Sequence, residues 1–399
     1  MNKDAATISL VAGAHAVSHF FQLVLAPLFP LMSSGLHVSY STLGVVMMVF
    51  FAVSAVLQPF AGFLVDRIGG RGVLLAGVSL MTLGALIMSL AGGAPLLALG
   101  AMVMGIGNSV FHPADFSILN GRVSQPKLGY AFSAHGVAGQ LGFAAAPVFS
   151  AAVAAAYGWQ AALLSAAAVG AAVLIMLLAN SHLLHAAQAP QRRQRIAQDA
   201  RVLLSFPVLV CFAFFVIWGA SYVGLSSFGI AAMQMQFGLS TALAASAITA
   251  YMLGNASGML AGGVVAARVP RHDLIAVGGL LVAALFVLPI AAGAVSGAAL
   301  PVVLALTGFF AGVTYPSRDL IVRSATPPGA AGRVYGFVYS GLDVGSLAMP
   351  VFYGMLIDHG LPQGVFYVIF GCMLVAVATV LQLARKPSTA SLNIAGDSK

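Results

Sequence analysis

The segment Val73–Gly92, VLLAGVSLMTLGALIMSLAG, contains no charged side chain. A helix of this length rises about 30 Å, which matches the thickness of the hydrocarbon core of a lipid bilayer. Arg67 and Arg71 precede the segment, whereas the turn Gly92–Ala94 that follows it carries no charge. The sequence therefore predicts a membrane-spanning helix with one basic end and one neutral end.

Similar apolar runs fill the rest of the chain. Of its 399 residues, 60% are hydrophobic and only 7% are charged, and the mean hydropathy is +1.01. These values exclude an ordinary soluble domain and make lipid the expected solvent. The predicted spans number twelve and lie near residues 8–31, 43–65, 73–92, 96–119, 129–154, 160–181, 207–231, 241–266, 274–294, 299–322, 334–357 and 364–384.

The basic residues indicate the orientation of these spans. Every Lys and Arg except Arg318 falls at a terminus or in alternate connections. Because short cytoplasmic loops retain positive charge, both termini are predicted to be cytoplasmic, in a bacterial-type inner membrane. The longest connection, 182–206, reads as a cytoplasmic linker between two six-helix halves, 1–181 and 207–399, the second of which ends in a short cytoplasmic tail.

Several other classes of protein are excluded. The formal net charge is +8, but the basic residues are scattered and form no stripe suited to nucleic acid. The first apolar run is too long for a cleaved secretory signal and predicts a retained first span. Cys211 and Cys372 lie inside apolar runs and lack the spacing of a disulfide framework or a metal site. No cofactor is expected.

The two halves are related by an internal repeat at an offset of 203 residues. This offset aligns Gly142 with Gly345, Pro147–Phe149 with Pro350–Phe352, and His112-Pro113 with Tyr315-Pro316. Six-helix repeats with a site between them are the architecture of alternating-access transporters. The predicted fold is therefore an all-α membrane protein of twelve transmembrane helices in two pseudo-symmetric six-helix bundles.

The connection between spans two and three, Gly62–Arg71, has the sequence GFLVDRIGGR. It resembles the loop signature of the major facilitator superfamily, with Gly62, Asp66, Arg67, Gly69 and Arg71 in the motif positions. A weaker copy lies between spans eight and nine, with Ala267 in the place of the acid. The resemblance implies that Asp66 latches the cytoplasmic side when the transporter faces outward, with Arg122 as its partner. The alternative is a solvated loop whose charges only set topology.

Two shorter features resemble the fosmidomycin-resistance-like group of that superfamily. They are His19 in span one and Phe111–Pro113 in span four. The resemblance implies efflux. Asp115 departs from the pattern, because an acid is expected nearer the proline, and the role of the acid in that group is therefore not carried over.

Ionisable side chains are costly within a membrane, so they are functional candidates. Those inside the predicted spans are His15, His19, His112, Asp115, His135, Arg318, Asp319 and Asp343. His15, His19 and Gln22 share one helix face near the bilayer midplane. The alternative is that these histidines are structural. No metal site is predicted, because the spacing of His15 and His19 suits a metal but no third ligand is evident nearby.

Asp115 and Arg318 occupy equivalent positions in the two repeats. One hypothesis is a gating ion bridge that forms when the cytoplasmic side closes, and another is that Arg318 holds an anionic substrate. A third is that Arg318 pairs with Asp319 or Asp343 to offset the cost of its burial. Asp343, deep in span eleven, is the leading candidate for proton coupling, with His19 and His112 able to share the proton.

Further cavity candidates are polar or aromatic residues paired on single helix faces, although such residues more often serve packing. They are Gln140, Trp218, Tyr222, Tyr251 and Asn255. Gly136, Gly139 and Gly142, followed by Pro147, are predicted to let span five approach and bend against a neighbour.

The predicted function is proton-coupled efflux of a small organic solute, anionic or polar, by a monomeric secondary transporter. Proton-coupled uptake of a carboxylate is the close alternative, since the same protonatable residues serve either direction. A receptor or scaffold with a transporter fold is the alternative from another class. An enzyme is not expected, because no nucleophile elbow, metal-binding helix or phosphate-binding loop is evident.

Overall fold

A computed structural model of the chain describes residues 3–185, 202–326 and 331–385. Across these ranges the regular structure is helical, and no strand occurs in them. The first half contains helices Lys3–Leu23, Phe29–Leu36, Tyr40–Ile68, Gly70–Ser89, Ala94–Asn108, Phe111–Arg122 and Leu128–Ala179. The second half contains helices Phe206–Val223, Gly229–Phe237, Thr241–Arg268, His272–Ala291, Leu300–Ser324, Ala331–Ala348, Pro350–Asp358 and Pro362–Arg385.

The described helices make up twelve membrane spans. By length and hydropathy 11 segments can cross a membrane, and one of them, Gln125–Ala179, is 55 residues long. A straight helix of that length would reach about 80 Å, more than twice the thickness of the hydrocarbon core. Gly158 divides it, because its φ of 86° and ψ of 168° are not helical. Spans five and six are therefore two helices joined at a glycine, and the prediction of twelve spans is confirmed.

Several spans are interrupted near their middle. Span one changes to a tight turn at Ala26–Leu28, and span seven has a wider turn at Gly224–Phe228. Span four breaks between Asn108 and Phe111. Pro113 explains this break, since a proline lacks the N–H for an i→i−4 hydrogen bond and its ring clashes with the carbonyl four residues earlier. Polar backbone is thus available in the interior of the bundle.

The span bounds differ modestly from the predicted ones. Most helices extend a few residues beyond the predicted ends, because a helix can continue past the hydrocarbon into the polar interface. Span seven begins at Phe206, at the end of the predicted linker 182–206. Residues 186–201 of that linker lie outside the described part of the chain.

The bundle has two chemically different ends. We call the end that carries Arg67, Arg71 and Arg268 the basic end, and the opposite end the neutral end. Spans two and eight are the second spans of their halves, and both begin at the neutral end. Each of them starts with a serine N-cap. Ser39 accepts from the backbone N–H of Thr42, and Ser240 accepts from that of Leu243.

The two halves meet at the neutral end. Asp358, at the end of span eleven, accepts hydrogen bonds from the backbone N–H groups of Tyr40 (2.7 Å) and Ser41 (2.8 Å) at the start of span two. Beside this contact, a Cβ on Gly44 would lie 2.5 Å from the carbonyl oxygen of Pro350. The helices therefore touch backbone to backbone.

At the basic end the described polar contacts remain within one half. Lys127 pairs with Asp4 at 3.1 Å, and Arg271 pairs with Asp273 at 2.8 Å. The contacts between halves described above lie at the neutral end, so the structure is closed at that end.

Candidate functional site

A group of four ionisable side chains lies in the interior of the first half. His15 comes from span one, His112 and Asp115 from span four, and His135 from span five. His135 donates from Nε2 to Asp115 Oδ2 at 3.0 Å, and Nδ1 of His15 lies 3.2 Å from the same oxygen. The rings of His15 and His135 stack with centroids 3.5 Å apart. We call these four residues the histidine cluster.

The histidine cluster is buried except at one point. The exposed fractions of His15, Asp115 and His135 are 2%, 0% and 4%. The His112 ring is exposed and lies with its centroid 5.3 Å from that of His15. His112 is therefore the point at which the cluster is accessible from outside the bundle.

Small residues on span five allow this arrangement. A Cβ on Gly139 would lie 2.9 Å from the His19 ring and 3.0 Å from the His15 ring, and one on Gly142 would lie 2.0 Å from the carbonyl oxygen of Ala16. Spans one and five thus approach closely enough to bury two histidine rings between them. The predicted close approach of span five is confirmed at these two glycines, whereas a Cβ on Gly136 would meet no atom of another segment within 4 Å.

A row of rings joins the two halves near the middle of the membrane. The ring centroid of His19 is 4.3 Å from that of His15 and 4.1 Å from that of Phe143. Phe143 in turn lies 5.7 Å from Tyr222 in the second half. Tyr222 donates to the sulfur of Met252 at 3.6 Å.

Gln22 belongs to a separate polar chain. Its amide donates to Asn108 at 3.1 Å, and Asn108 donates to Ser54 at 2.8 Å, which links spans one, four and two. Asn108 and Ser54 were not predicted, because single amides and hydroxyls inside apolar runs carry no pattern. Gln140 is half-buried on span five.

The second half has its own polar group, built around Arg318. The guanidinium donates to Asp319 at 3.0 Å and lies 4.5 Å from the centroids of both the Phe215 and the Tyr315 rings. Tyr339 donates to the same Asp319 oxygen at 2.8 Å. We call these five residues the arginine cluster.

The other predicted aromatic residues lie against the arginine cluster. Asn255 donates to the hydroxyl of Tyr315 at 3.2 Å, and Trp218 contacts the Tyr315 ring edge-on at 5.6 Å between centroids. Trp218, Tyr251 and Asn255 are buried, with 4%, 2% and 1% of their surfaces exposed. Of the residues missed by sequence reasoning, Tyr315 did have a signal, since the repeat aligned it with His112.

The two clusters share two equivalent positions in the repeat, and two neighbouring positions are equivalent as well. The offset of 203 residues aligns members of the first half with members of the second: His15 with Trp218, His19 with Tyr222, His112 with Tyr315, and Asp115 with Arg318. The same four backbone positions thus carry imidazoles and a carboxylate in one half, and aromatic rings and a guanidinium in the other.

Asp343 stands apart from both clusters. It is partly buried on span eleven, and within the described part of the chain no hydrogen bond or ion pair reaches its carboxylate. Of the acids inside the spans, Asp115 has histidine partners and Asp319 has Arg318 and Tyr339.

The hypothesis of an Asp115–Arg318 bridge does not describe this structure. Asp115 is bound by histidines and Arg318 by Asp319, because each cluster provides an opposite charge within its own half. Arg318 pairs with Asp319 here, as the third hypothesis expects, and a bridge to Asp115 in the conformation closed on the cytoplasmic side stays a prediction.

The loop motif is only partly described. Arg122 donates to the backbone carbonyls of Leu183 (3.2 Å) and His182 (3.3 Å), and Arg71 contacts His185. Gly69 has a φ of 84°, a left-handed conformation that favours glycine. A Cβ on Gly62 would meet no atom of another segment within 4 Å, and Arg67 is exposed. The side chain of Asp66 lies outside the described residues, so the predicted latch between Asp66 and Arg122 stays a prediction.

The reason for predicting no metal site was wrong. It rested on the lack of a third ligand near His15 and His19, and sequence separation concealed that ligand. His15, His112 and His135 place their ligand nitrogens within 4.8 Å of one another.

Known proteins share this architecture and part of the sequence. The chain is 24% identical over 367 residues to the fosmidomycin resistance protein of Escherichia coli (strain K12), covering 88% of this chain and 86% of that one. A bacterial homolog of the human lysosomal transporter Spinster, in an inward-facing and occupied conformation, superimposes with a TM-score of 0.80 at 13% identity, covering 96% and 97% of the two chains.

A single-residue mutant of the nucleoside transporter NupG gives a TM-score of 0.77 at 13% identity, covering 94% of this chain and 99% of that one. The model of the Major Facilitator Superfamily matches residues 11–246 and 210–398, and thus nearly the whole chain. The chain therefore belongs to the Major Facilitator Superfamily and is a multi-pass membrane transporter for a small-molecule substrate, not an enzyme.

Proposed function

We propose that this transporter is a proton-coupled exporter of a small organic solute that is anionic or polar. The observation that carries the proposal is Asp343, a carboxyl inside the membrane with no partner among the described residues. Such a carboxyl group favours the protonated, neutral form in a conformation that excludes water, and the ionised form in a conformation that hydrates it. A transporter that alternates between the two conformations would therefore move a proton with each cycle.

The substrate class follows from the arginine cluster. Arg318 has one carboxylate partner, Asp319, and presents its planar guanidinium between two aromatic faces. A guanidinium binds carboxylate and phosphate groups in a bidentate manner, so an anionic oxygen of the substrate would compete with Asp319. This argument favours an anionic solute and applies equally to the alternative, proton-coupled uptake of a carboxylate.

Export is favoured by the relative from Escherichia coli, whose name describes resistance. The basic end would face the cytoplasm under the positive-inside rule. Both termini would then lie on the cytoplasmic side of a bacterial inner membrane, and a crevice between the halves would open to cytoplasmic solute. In this scheme residues 1–181 and 207–399 rock against each other, residues 182–206 tether them, and the transporter works as a monomer. Asp66 and Arg122 would latch the cytoplasmic side after it closes.

Reconstituted vesicles test the proposal directly. The full chain is placed in liposomes loaded with a pH-sensitive dye, and fosmidomycin and a panel of small carboxylates are added to either side. Solute-dependent proton movement opposite in direction to the solute supports export by antiport. Movement in the same direction supports uptake by symport, and no movement of any solute supports a receptor or scaffold.

Asp343→Asn is the decisive variant. We expect it to abolish solute accumulation driven by a pH gradient while solute exchange at equal pH continues, because the asparagine cannot carry a proton but preserves shape. Asp273→Asn is the matched control, since Asp273 pairs with Arg271 at the protein surface. Full gradient-driven transport by Asp343→Asn would exclude Asp343 as the coupling residue.

A further inference from the structure

We infer that the histidine cluster is a binding site for one divalent transition-metal ion of the zinc class. The nitrogen ligands are His15, His112 and His135, and Asp115 supplies an oxygen. This inference is independent of the proposed function, because it does not involve Asp343 or the arginine cluster.

The first argument is the convergence of ligand atoms. One ligand nitrogen from each of the three histidines lies within 4.8 Å of the others, and Asp115 Oδ2 lies 3.0 Å from His135 Nε2 and 3.2 Å from His15 Nδ1. Ligand atoms of a tetrahedral zinc site stand about 3.3 Å apart, given metal–ligand bonds of about 2.0 Å. Small rotations of the side chains would therefore bring all four atoms to one ion.

The second argument is the state of the buried polar atoms. Nδ1 of His15 and Oδ1 of Asp115 are buried and have no hydrogen-bond partner among the described residues. Nδ1 of His15 is close to the Asp115 carboxylate, but the contact lacks hydrogen-bond geometry. Buried polar atoms are nearly always paired, and leaving one unpaired costs about 1–3 kcal/mol. Coordination of a cation would satisfy Nδ1 of His15, and a carboxylate bound through both oxygens would satisfy Oδ1 of Asp115 as well.

The third argument is the chemistry of the donor set. Three imidazoles and one carboxylate suit Zn²⁺, Co²⁺ and Ni²⁺, whereas Mg²⁺ and Ca²⁺ require a shell made largely of oxygen. The negative charge of Asp115 offsets part of the charge of the ion in a site removed from water.

The fourth argument is access. His112 is the exposed member of the set, while His15 and His135 are buried. An ion can therefore reach the inner ligands by way of His112. The bound ion would join spans one, four and five and would reinforce the contact of Asp115 with His15 and His135.

Direct binding measurements test this inference without any transport assay. The full chain is purified in detergent with an affinity tag that contains no histidine, treated with a chelator and titrated with Co²⁺. We expect the visible absorption bands of tetrahedral Co²⁺ to saturate at one ion per chain, and Zn²⁺ to displace them. Mg²⁺ at the same concentration should not.

His112→Ala is the informative variant, because this exposed side chain can be removed with little effect on the fold. We expect it to weaken Co²⁺ binding at least about 100-fold, since loss of even an outer partner of a metal ligand costs 10- to 100-fold. Asp115→Asn is a second variant that preserves shape. His359→Asn is the matched control, because His359 is exposed and bonds only to its own helix.

A melting curve without metal shows that each variant is folded. Saturable tetrahedral Co²⁺ binding in the wild type and the control, lost in His112→Ala and Asp115→Asn, supports the site. Wild-type protein without saturable Co²⁺ bands, or folded His112→Ala that binds as tightly as the wild type, would overturn the inference and leave the cluster as a hydrogen-bonded histidine–carboxylate group.

Discussion

At the scale of single residues, Arg318 illustrates how a buried cation is accommodated. It combines one charged partner, Asp319, with the faces of Phe215 and Tyr315, each 4.5 Å from the guanidinium carbon. A ring face attracts a cation by about 0.5–2 kcal/mol, depending on hydration. One edge of the guanidinium binds Asp319 through Nε, and a terminal nitrogen donates to the Tyr339 hydroxyl at 3.5 Å, so an anion would have to compete for these contacts.

Arg318→Lys should separate this planar geometry from charge. Lysine keeps the positive charge but loses the bidentate fork and the stacking. We expect the half-saturating concentration of an anionic substrate, measured by counterflow in vesicles, to rise about tenfold, which corresponds to about 1.4 kcal/mol. Arg323→Lys is the control, because Arg323 is exposed on the same helix. Equal values for both variants would show that only the charge of Arg318 matters.

Individual candidate residues were predictable from the sequence because a charge inside an apolar run is conspicuous. The residues with which they pair were not predictable from the sequence. The pairing of Asp115 with His135 depends on which faces of spans four and five pack together, and hydropathy does not encode this. Repeat equivalence suggested Arg318 as the partner of Asp115, whereas local geometry within each half provided nearer ones.

At the scale of elements, close helix contacts depend on glycine. A Cβ on Gly142 of span five would lie 2.0 Å from the Ala16 carbonyl oxygen of span one, an impossible distance. The obstacle is backbone, so the helices themselves would have to separate.

The number of spans and the glycine contacts were predictable from composition and spacing. The join at Gly158 falls in the predicted gap between spans 129–154 and 160–181. The break in span four was not predictable, since glycine and proline also occur within continuous membrane helices.

Gly142→Ala should therefore destabilise the first half. Overpacking of this kind costs about 1–3 kcal/mol, and we expect a lower melting temperature in detergent. Gly136→Ala is a matched control on the same helix, because no atom lies within 4 Å of its Cβ position. It should melt at the wild-type temperature or slightly above, since alanine favours helix more than glycine. Equal destabilisation by both substitutions would contradict the packing argument.

At the scale of the whole molecule, the closed neutral end is stabilised by a helix cap that crosses between the halves. Asp358 of span eleven accepts from the first two backbone N–H groups of span two, at 2.7 and 2.8 Å. These groups have no partner within their own helix, and the positive end of the helix dipole adds to the attraction. Opening of the neutral end must break both bonds, so Asp358 biases the equilibrium toward the conformation described here.

Removal of this cap should shift the equilibrium toward opening at the neutral end. Loss of a cap costs about 1 kcal/mol, which corresponds to roughly a fivefold change in the ratio of two conformations. In a variant without Cys211 and Cys372, spin labels at the exposed positions Ser34 and Ser296 report the separation of the halves. We expect Asp358→Ala to increase the population at long distances.

The control for this measurement is the adjacent exposed residue. His359→Ala should leave the distance distribution unchanged, because His359 bonds only to Met355 in its own helix. If Asp358→Ala also leaves it unchanged, packing of span two against span eleven at Gly44 and Gly354 must hold the end closed by itself. Both glycines place backbone against backbone across the halves, so opening would then require the separation of two close-packed helices. Larger residues at those two positions should then produce the shift toward long distances that Asp358→Ala did not.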